Sequence, residues 1–421
     1  MRTGMLTGGI RHDEMRRSNR SLVIGAVRRA GKLSRTEIAG RTGLSQSTIS
    51  AIAADLIAEG IMQETEHASA SAASRRGRPQ VALALNPEAA RVVCLYLSYN
   101  QLLATIVDYS GATVQSSSQT LDTLALSRQE LIDAVLGAVR SITALQGRFM
   151  RIIFAVQGVT DARANEVLWS PIISHSHIPF GTLLEEAFGV PVSVQNDCNL
   201  IATALHWKNP ERYGNNFLAV LLSHGIGMGL MLNGRIFTGI RSSGGEFGHM
   251  VHVPDGSLCR CGRRGCIEAY AGSYAIQRRA QEENLHAPLA DTHGADLNSL
   301  LATARASDGP ARQAFREAGQ AIGFGLGSLF SLIDPAPVAL IGHGTAAFDI
   351  LEPEIRSALA QTAGGDNARD IAFELWPDEV PLIQEGSAMS ALISVDQDVF
   401  GPGLRVQGAD PARQRGPEFA A

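Results

Sequence analysis

Three of the chain's five cysteines fall within eight residues, in Cys259-Arg-Cys261-Gly-Arg-Arg-Gly265-Cys266, while Cys94 and Cys198 stand apart. An odd, clustered set argues for a metal rather than for disulfides. Thiolates at spacings of two and five, with glycines to permit tight turns, can converge on one ion. Tetrahedral zinc then needs a fourth ligand. His249, ending Gly244-Gly-Glu-Phe-Gly-His249, is the natural candidate, and His252 is a rival. Four protein ligands close such a site, so the expectation is one structural zinc per chain rather than a catalytic one.

A second constellation consists of short polar side chains. Ser45, Gln46, Ser47, Thr48 and Ser50 follow the turn Thr42-Gly43-Leu44 and open an apolar-periodic stretch. On the first turns of a helix they can hydrogen-bond base edges or phosphates in a major groove of double-stranded DNA, with Gln46 suited to adenine. Ser45 is also placed to cap that helix. Downstream, Arg75-Arg76-Gly77-Arg78-Pro79 supplies three arginines within four residues, suited to phosphates or a minor groove.

The elements that must position these groups can be read from periodicity. A helix is expected over 13–29, with Leu22, Val23, Ala26 and Val27 as its apolar stripe. Ser34 or Thr36 caps a second helix over 37–41, and a third runs over 46–59 with Ile49, Ile52, Leu56 and Ile57 inward. Strands over 61–64 and 81–85 flank the arginine-rich tip. Three helices followed by a hairpin with a basic tip is the winged form of the helix-turn-helix. Charge agrees: residues 1–85 carry 13 Lys+Arg against 7 Asp+Glu, a balance of +6, and the remainder carries 23 against 34, a balance of −11. A basic head on an acidic body suits a polyanion partner.

From residue 87 strands alternate with helices. Strands are expected over 92–97, 102–108, 152–156, 192–194, 217–222 and 337–341, and helices over 124–145, 180–188 and 311–332. This is α/β architecture with a mixed sheet. At 421 residues the chain should divide into two or three domains. The division expected is 1–85 for the DNA-binding head, 86–205 and 206–400 for two α/β lobes, and 401–421 for a disordered tail. The N-terminal arginines precede no apolar segment with a small-residue cleavage site, and no apolar run reaches membrane-spanning length. Cytoplasm and no membrane partner are therefore expected.

Three motifs resemble the ROK family of repressors, open reading frames and sugar kinases: Gly244-Gly-Glu-Phe-Gly-His249, Cys259 to Glu268, and Gln195-Asn196-Asp197-Cys-Asn199. The likeness covers 87–400, and the winged head matches the family's repressor branch. The resemblance implies a two-lobed fold of the actin-like ATPase and hexokinase type with sugar in the cleft. It implies Asn196, Asp197, Glu246, His249 and Glu268 as sugar contacts, with His249 also on zinc. For Asp197 a helix N-cap is the competing reading.

The family's kinases open the first lobe with Asp-x-Gly-Gly-Thr-Lys. Here the matching positions are Tyr96, Ser98, Tyr99, Asn100 and Gln101, so aspartate, both glycines and lysine are gone. Ser223-His-Gly-Ile-Gly227 likewise replaces the second phosphate loop. Backbone cannot approach phosphates closely without the glycines, so no ATP and no enzyme activity are expected. Many family members carry Asn after Ser-Pro, whereas this chain has Ser170-Pro171-Ile172, with His175 and His177 close by to compensate or to form a surface loop. The resemblance thus implies a sugar-responsive repressor, homodimeric or homotetrameric, bound to operator DNA. The alternative is a ROK-type sugar kinase with an appended head.

Overall fold

The computed structural model describes residues 12–65, 81–144, 147–240, 242, 244–287, 296–365, 367–368 and 370–400. The chain forms two compact units, one of residues 1–92, 107–114 and 391–421, the other of 93–106 and 115–390.

The first unit opens with α1 (His12–Ala30), β1 (Leu33–Ser34), α2 (Arg35–Thr42), α3 (Gln46–Ala58), β2 (Met62–Thr65) and β3 (Ala82–Leu85). Ser34 and Glu37 form a reciprocal capping box at the start of α2. Gly43 ends α2 at φ 72°, returning its N–H to the Ala39 carbonyl. Leu44 then carries the chain to Ser45, whose hydroxyl accepts from Thr48 N–H and starts α3. A cap of this kind contributes ~1 kcal/mol. Ile38, Ile49, Ile52 and Leu56 are buried, as are Val23, Ile24 and Val27 of α1, which packs on both α2 and α3. The apolar stripe expected on α1 is thus displaced by a residue: Leu22 is 48% exposed, and Ile24 takes its place in the core.

The three strands form one antiparallel sheet in the order β1-β3-β2, with Leu33 opposite Leu83 and Met62 opposite Leu85. β1 has no sequence signature, because it is two residues long and its second residue is also the α2 cap. Arg75, Arg76 and Arg78 lie outside the described residues, as does the 401–421 tail.

The second unit carries most of two five-stranded sheets. The first is built from β4 (Arg91–Ser98), β5 (Gln101–Asp108), β6 (Thr113–Thr120), β7 (Arg151–Val156) and β10 (Val192–Asn196), in the order β10-β7-β4-β5-β6. α4 (Arg128–Thr143) follows β6. A small hairpin of β8 (Val159–Thr160) and β9 (Val167–Trp169), then α5 (Phe180–Phe188), lies between β7 and β10. β7 and β10 run parallel, so both end at the same edge, and α6 (Asp197–Lys208) starts there. β6, Thr-Val-Gln-Ser-Ser-Ser-Gln-Thr, is a solvent-facing edge strand.

The second sheet has the order β13-β12-β11-β14-β15, from β11 (Phe217–Leu222), β12 (Ile226–Leu232), β13 (Arg235–Ile236), β14 (Val338–Ile341) and β15 (Phe373–Trp376). Its helices are α7 (Glu268–Ala271), α8 (Ser273–Ala280), α9 (Leu297–Ala306), α10 (Pro310–Ile333) and α11 (Phe348–Leu359), whereas α12 (Val380–Asp398) returns to the first sheet, where Gln384 bonds Thr105 of β5 and Ser390 bonds Gln195 of β10. Leu218, Val220, Phe315, Ile322 and Ile355 sit in its core. Among the described residues no helix is long and apolar enough to cross a membrane.

Candidate ligand cleft and metal centre

The cysteine motif folds into a tight loop stapled to the chain before it. Val251 and Cys266 form an isolated antiparallel bridge, as do Leu258 and Arg264. Cys259 N–H donates to the Arg263 carbonyl, and Gly262 N–H returns to the Cys259 carbonyl. Gly265 adopts φ 76°, and a Cβ there would drive into the Val253 carbonyl, so only glycine fits. Upstream, a single 3-10 turn over Phe247–His249 delivers the imidazole.

The donor atoms of His249, Cys259, Cys261 and Cys266 all lie within 4.8 Å of one another. Cys261 and Cys266 sulfurs are 3.7 Å apart, and Cys259 Sγ is 3.7 Å from His249 Nδ1. A tetrahedron with metal–sulfur bonds of about 2.3 Å has edges of about 3.8 Å, so the cluster has the dimensions of a closed zinc site with three sulfur ligands and one nitrogen ligand. Burial raises the Cys266 thiol to about 11 and the Cys259 thiol well above its usual value. Thiolates in this loop therefore call for a cation partner. His252, the rival ligand, is outside the cluster; its ring stacks on Phe324 and meets Tyr270 edge-on.

Beside the loop lies a cleft enclosing about 660 Å³, open solvent included. Asn196, Asp197, Glu246, His249 and Glu268 all line it, brought together from β10, α6, the 3-10 turn and α7. Asn196 caps α6: its carbonyl oxygen accepts from Asn199 N–H at 3.2 Å, and its amide donates to the Gly158 carbonyl at 2.9 Å. That removes the N-cap reading of Asp197, which is instead the first residue of the helix. Asp197 is 2% exposed and accepts from Cys198 N–H at 2.9 Å. Burial raises its carboxyl to about 7, with the nearby charge of Glu379 adding to the rise.

Glu268 is 7% exposed. One of its oxygens accepts from Ile226 N–H at 3.1 Å and the other faces Cys259 Sγ at 3.6 Å. Gly225 approaches so closely that a Cβ there would collide with this carboxylate. Glu246, raised mainly by burial and also by Glu268, sits 3.8 Å from His249 Nε2. His249 therefore turns one ring nitrogen toward Cys259 and the other toward Glu246 in the cleft.

The segments that the resemblance matches to the family kinases' phosphate loops carry aromatic and imidazole rings that meet one another. Tyr99 packs against His224 with ring centres 5.8 Å apart, and His224 meets His343 at 5.5 Å. Ser223 Oγ lies 3.3 Å from both His343 Nδ1 and Glu379 Oε1. Tyr96 is 8% exposed. The expected loop Ser223-His224-Gly225 is the turn joining β11 to β12, with Ser223 N–H donating to the Gly225 carbonyl.

Sequence reasoning missed Trp169, Gln157 and Pro171, which also line the cleft, and Glu379. Trp169 ends a three-residue strand too short to read. His175 and His177 do not reach the cleft: His175 pairs with the Leu126 carbonyl, and the exposed His177 with Glu166. In the first unit, Gln46, Ser47 and Ser50 are exposed on the first turns of α3, Thr48 is half-buried, and the Ser45 hydroxyl is engaged as the cap.

Residues 93–377 match the ROK family profile, and the chain belongs to the ROK family. The DNA-binding transcriptional repressor Mlc of Escherichia coli (strain K12) is 27% identical over 368 residues, covering 86% of this chain and 90% of that protein. A solved ROK family transcriptional regulator, described as a homolog of E. coli MLC protein, shares the fold. Its TM-score is 0.70 over 90% of this chain and 99% of the other, at 22% identity. The ROK hexokinase from Thermus thermophilus matches at a TM-score of 0.58 and 26% identity, over 72% of this chain and 99% of its own. The body of the chain thus has the hexokinase-type fold of the actin-like ATPases.

Proposed function

We propose that this protein is a sugar-responsive, DNA-binding transcriptional regulator, a repressor of carbohydrate uptake or catabolism genes that leaves its operator when a sugar or sugar derivative enters the cleft. In this reading residues 1–85 form a winged helix-turn-helix, and 86–205 and 206–400 form the two lobes. Ser45, Gln46, Ser47, Thr48 and Ser50 meet the major groove, and Arg75, Arg76 and Arg78 meet phosphates or the minor groove. Asn196, Asp197, Glu246, His249 and Glu268 hold the sugar.

The observation that carries the proposal is the presence, in one chain, of an exposed polar helix start at Ser45 and an acid-lined cleft. The repressor name of the Mlc relative supports it. Carboxylates suit a neutral polyol, since they accept from hydroxyls and reject analogues that lack them. Missing glycines and lysine, with rings in their place, support a cleft that binds no ATP and catalyses no phosphoryl transfer.

We assign His249, Cys259, Cys261 and Cys266 to one zinc per chain. Zinc there supplies a rigid crosslink; the chain's own part is to hold His249 and the loop bearing Glu268 in register with the cleft. A homodimer or homotetramer in the cytoplasm fits a winged head, since such heads commonly read two half-sites.

The test is selection of bound fragments from the source genome, then gel shift at fixed salt with a panel of sugars and sugar phosphates. Discrete sites released by one sugar class are expected. Sequence-independent binding unaffected by every sugar would contradict the proposal.

A further inference from the structure

A pyranose is amphipathic: hydroxyls ring its rim, and C–H bonds cover its faces. The carboxylates of the cleft account for the rim. The faces require an apolar partner of similar size, and Trp169 is the indole among the residues lining the cleft. Leu221, Ile226 and Met228 line it too, but they are 5–6% exposed and belong to the floor. Trp169 is half-buried rather than sealed in the floor.

The ring is also held in place. Trp169 pairs with Val159 across the β8–β9 hairpin. The next residue, Ser170, donates its hydroxyl to the Gln157 carbonyl at 2.5 Å, and Ile172 is 4% exposed, so neither side chain offers the cleft a hydrogen bond. Gly158, in the same hairpin, is tied by the amide of Asn196. The indole stands edge-to-face against His249, with ring centres 6.0 Å apart and planes at 72°. A surface fixed before binding loses little entropy when a ligand stacks on it.

We infer that Trp169 is the stacking platform of the cleft: its indole takes a C–H face of a pyranose, while Asp197, Glu246 and Glu268 take hydroxyls at the rim. The inference rests on the sugar-binding reading of the cleft. Removing the indole takes away that apolar contact, which weakens pyranose binding about tenfold or more.

The test is calorimetric titration of the full-length, zinc-loaded chain with glucose, xylose, galactose and mannose, and with glucitol, an open-chain polyol that has the hydroxyls but no ring face. Wild type, Trp169→Phe and Trp169→Leu are compared, with zinc content measured on each. Expected is at least tenfold preference of wild type for one of the pyranoses over glucitol, about tenfold weaker binding and loss of that preference in Trp169→Leu, and near-wild-type behaviour in Trp169→Phe. Sugar should also change wild-type tryptophan fluorescence and leave Trp169→Phe, which keeps Trp207 and Trp376, unchanged. Wild-type affinity and preference in Trp169→Leu would overturn the inference and leave the cleft reading standing, as would equal wild-type affinity for glucitol and the pyranoses. Binding of none of the four sugars by wild type would overturn both.

Discussion

Arg28 and Asp396, 368 residues apart in sequence, form a two-pronged ion pair sealed from solvent. Nη1 lies 2.5 Å from Oδ2 and Nη2 lies 3.2 Å from Oδ1, with the side chains 2% and 6% exposed. Tyr109 donates its hydroxyl to Asp396 at 2.6 Å, and its ring lies 4.7 Å beneath the guanidinium. The pair joins α1 of the N-terminal module to the last turn of α12.

Removing one member of such a pair strands a buried charge and costs ~3–5 kcal/mol. In Asp396→Ala the amides of α1 should therefore exchange with solvent by ~10²-fold or more faster. The double replacement Arg28→Met with Asp396→Leu should recover most of the protection. Hydrogen exchange read by mass spectrometry decides; unchanged α1 protection in Asp396→Ala would contradict a structural role for the pair.

Asp197 gives a pH signature. Its carboxyl titrates at about 7 in the fold against an ordinary 3.8, so the native state holds the proton more tightly than the unfolded chain. This contribution to stability is present in acid and is lost as pH rises from about 4 to about 7, by up to ~4 kcal/mol. Asp197→Asn should flatten that slope. A sugar hydroxyl donating to Asp197 favours the ionised form, so sugar affinity should rise with pH through about 7 in wild type and not in the variant. Calorimetry at pH 6 to 8 checks it; a pH-independent affinity would count against the contact.

Zinc removal should loosen the cleft without unfolding the N-terminal module. Cys261→Ser should bind substoichiometric zinc by elemental analysis, melt at a lower temperature and lose sugar response, since His249 and Glu268 depend on the loop. Full zinc occupancy in Cys261→Ser would exclude Cys261 as a ligand.

The metal loop was legible because its signal is local and chemically rare, cysteines at fixed spacing among glycines, whereas the polar residues of the cleft were legible only through the resemblance to the ROK family. Helices α1 to α3 were legible to within a few residues from capping and periodicity. The rest depends on contacts that sequence order hides. β1 is too short for alternation, and β6 is polar on both faces because it is a solvent-facing edge. Leu22 obeys the helical period yet faces solvent, while Arg28 breaks it and is buried. Trp169 acquires meaning only when β9 brings it beside His249, and Asp396 only when α12 reaches Arg28.

Incubation with ATP, magnesium and a sugar panel should give no phosphorylated sugar. By the resemblance, Tyr96, Ser98, Tyr99, Asn100 and Gln101 occupy the segment that supplies a glycine-rich loop and a lysine in the family's kinases. Turnover of ~1 per second or more, abolished in Asp197→Ala, would establish a kinase.

The central claim is that sugar in the cleft lowers operator affinity. A sugar does this only by binding one conformation better than another, and a preference of ~100-fold corresponds to about 2.7 kcal/mol, enough to empty a marginally occupied site. The direct measurement is operator binding at fixed salt, with and without the sugar, for wild type, Glu246→Ala, Glu268→Ala and Gln46→Ala. Wild type should release DNA on sugar addition, the two glutamate variants should bind operator normally and ignore the sugar, and Gln46→Ala should bind sugar but lose operator. Release of DNA by Glu246→Ala and Glu268→Ala at wild-type sugar concentrations would place the sensor elsewhere and contradict the account.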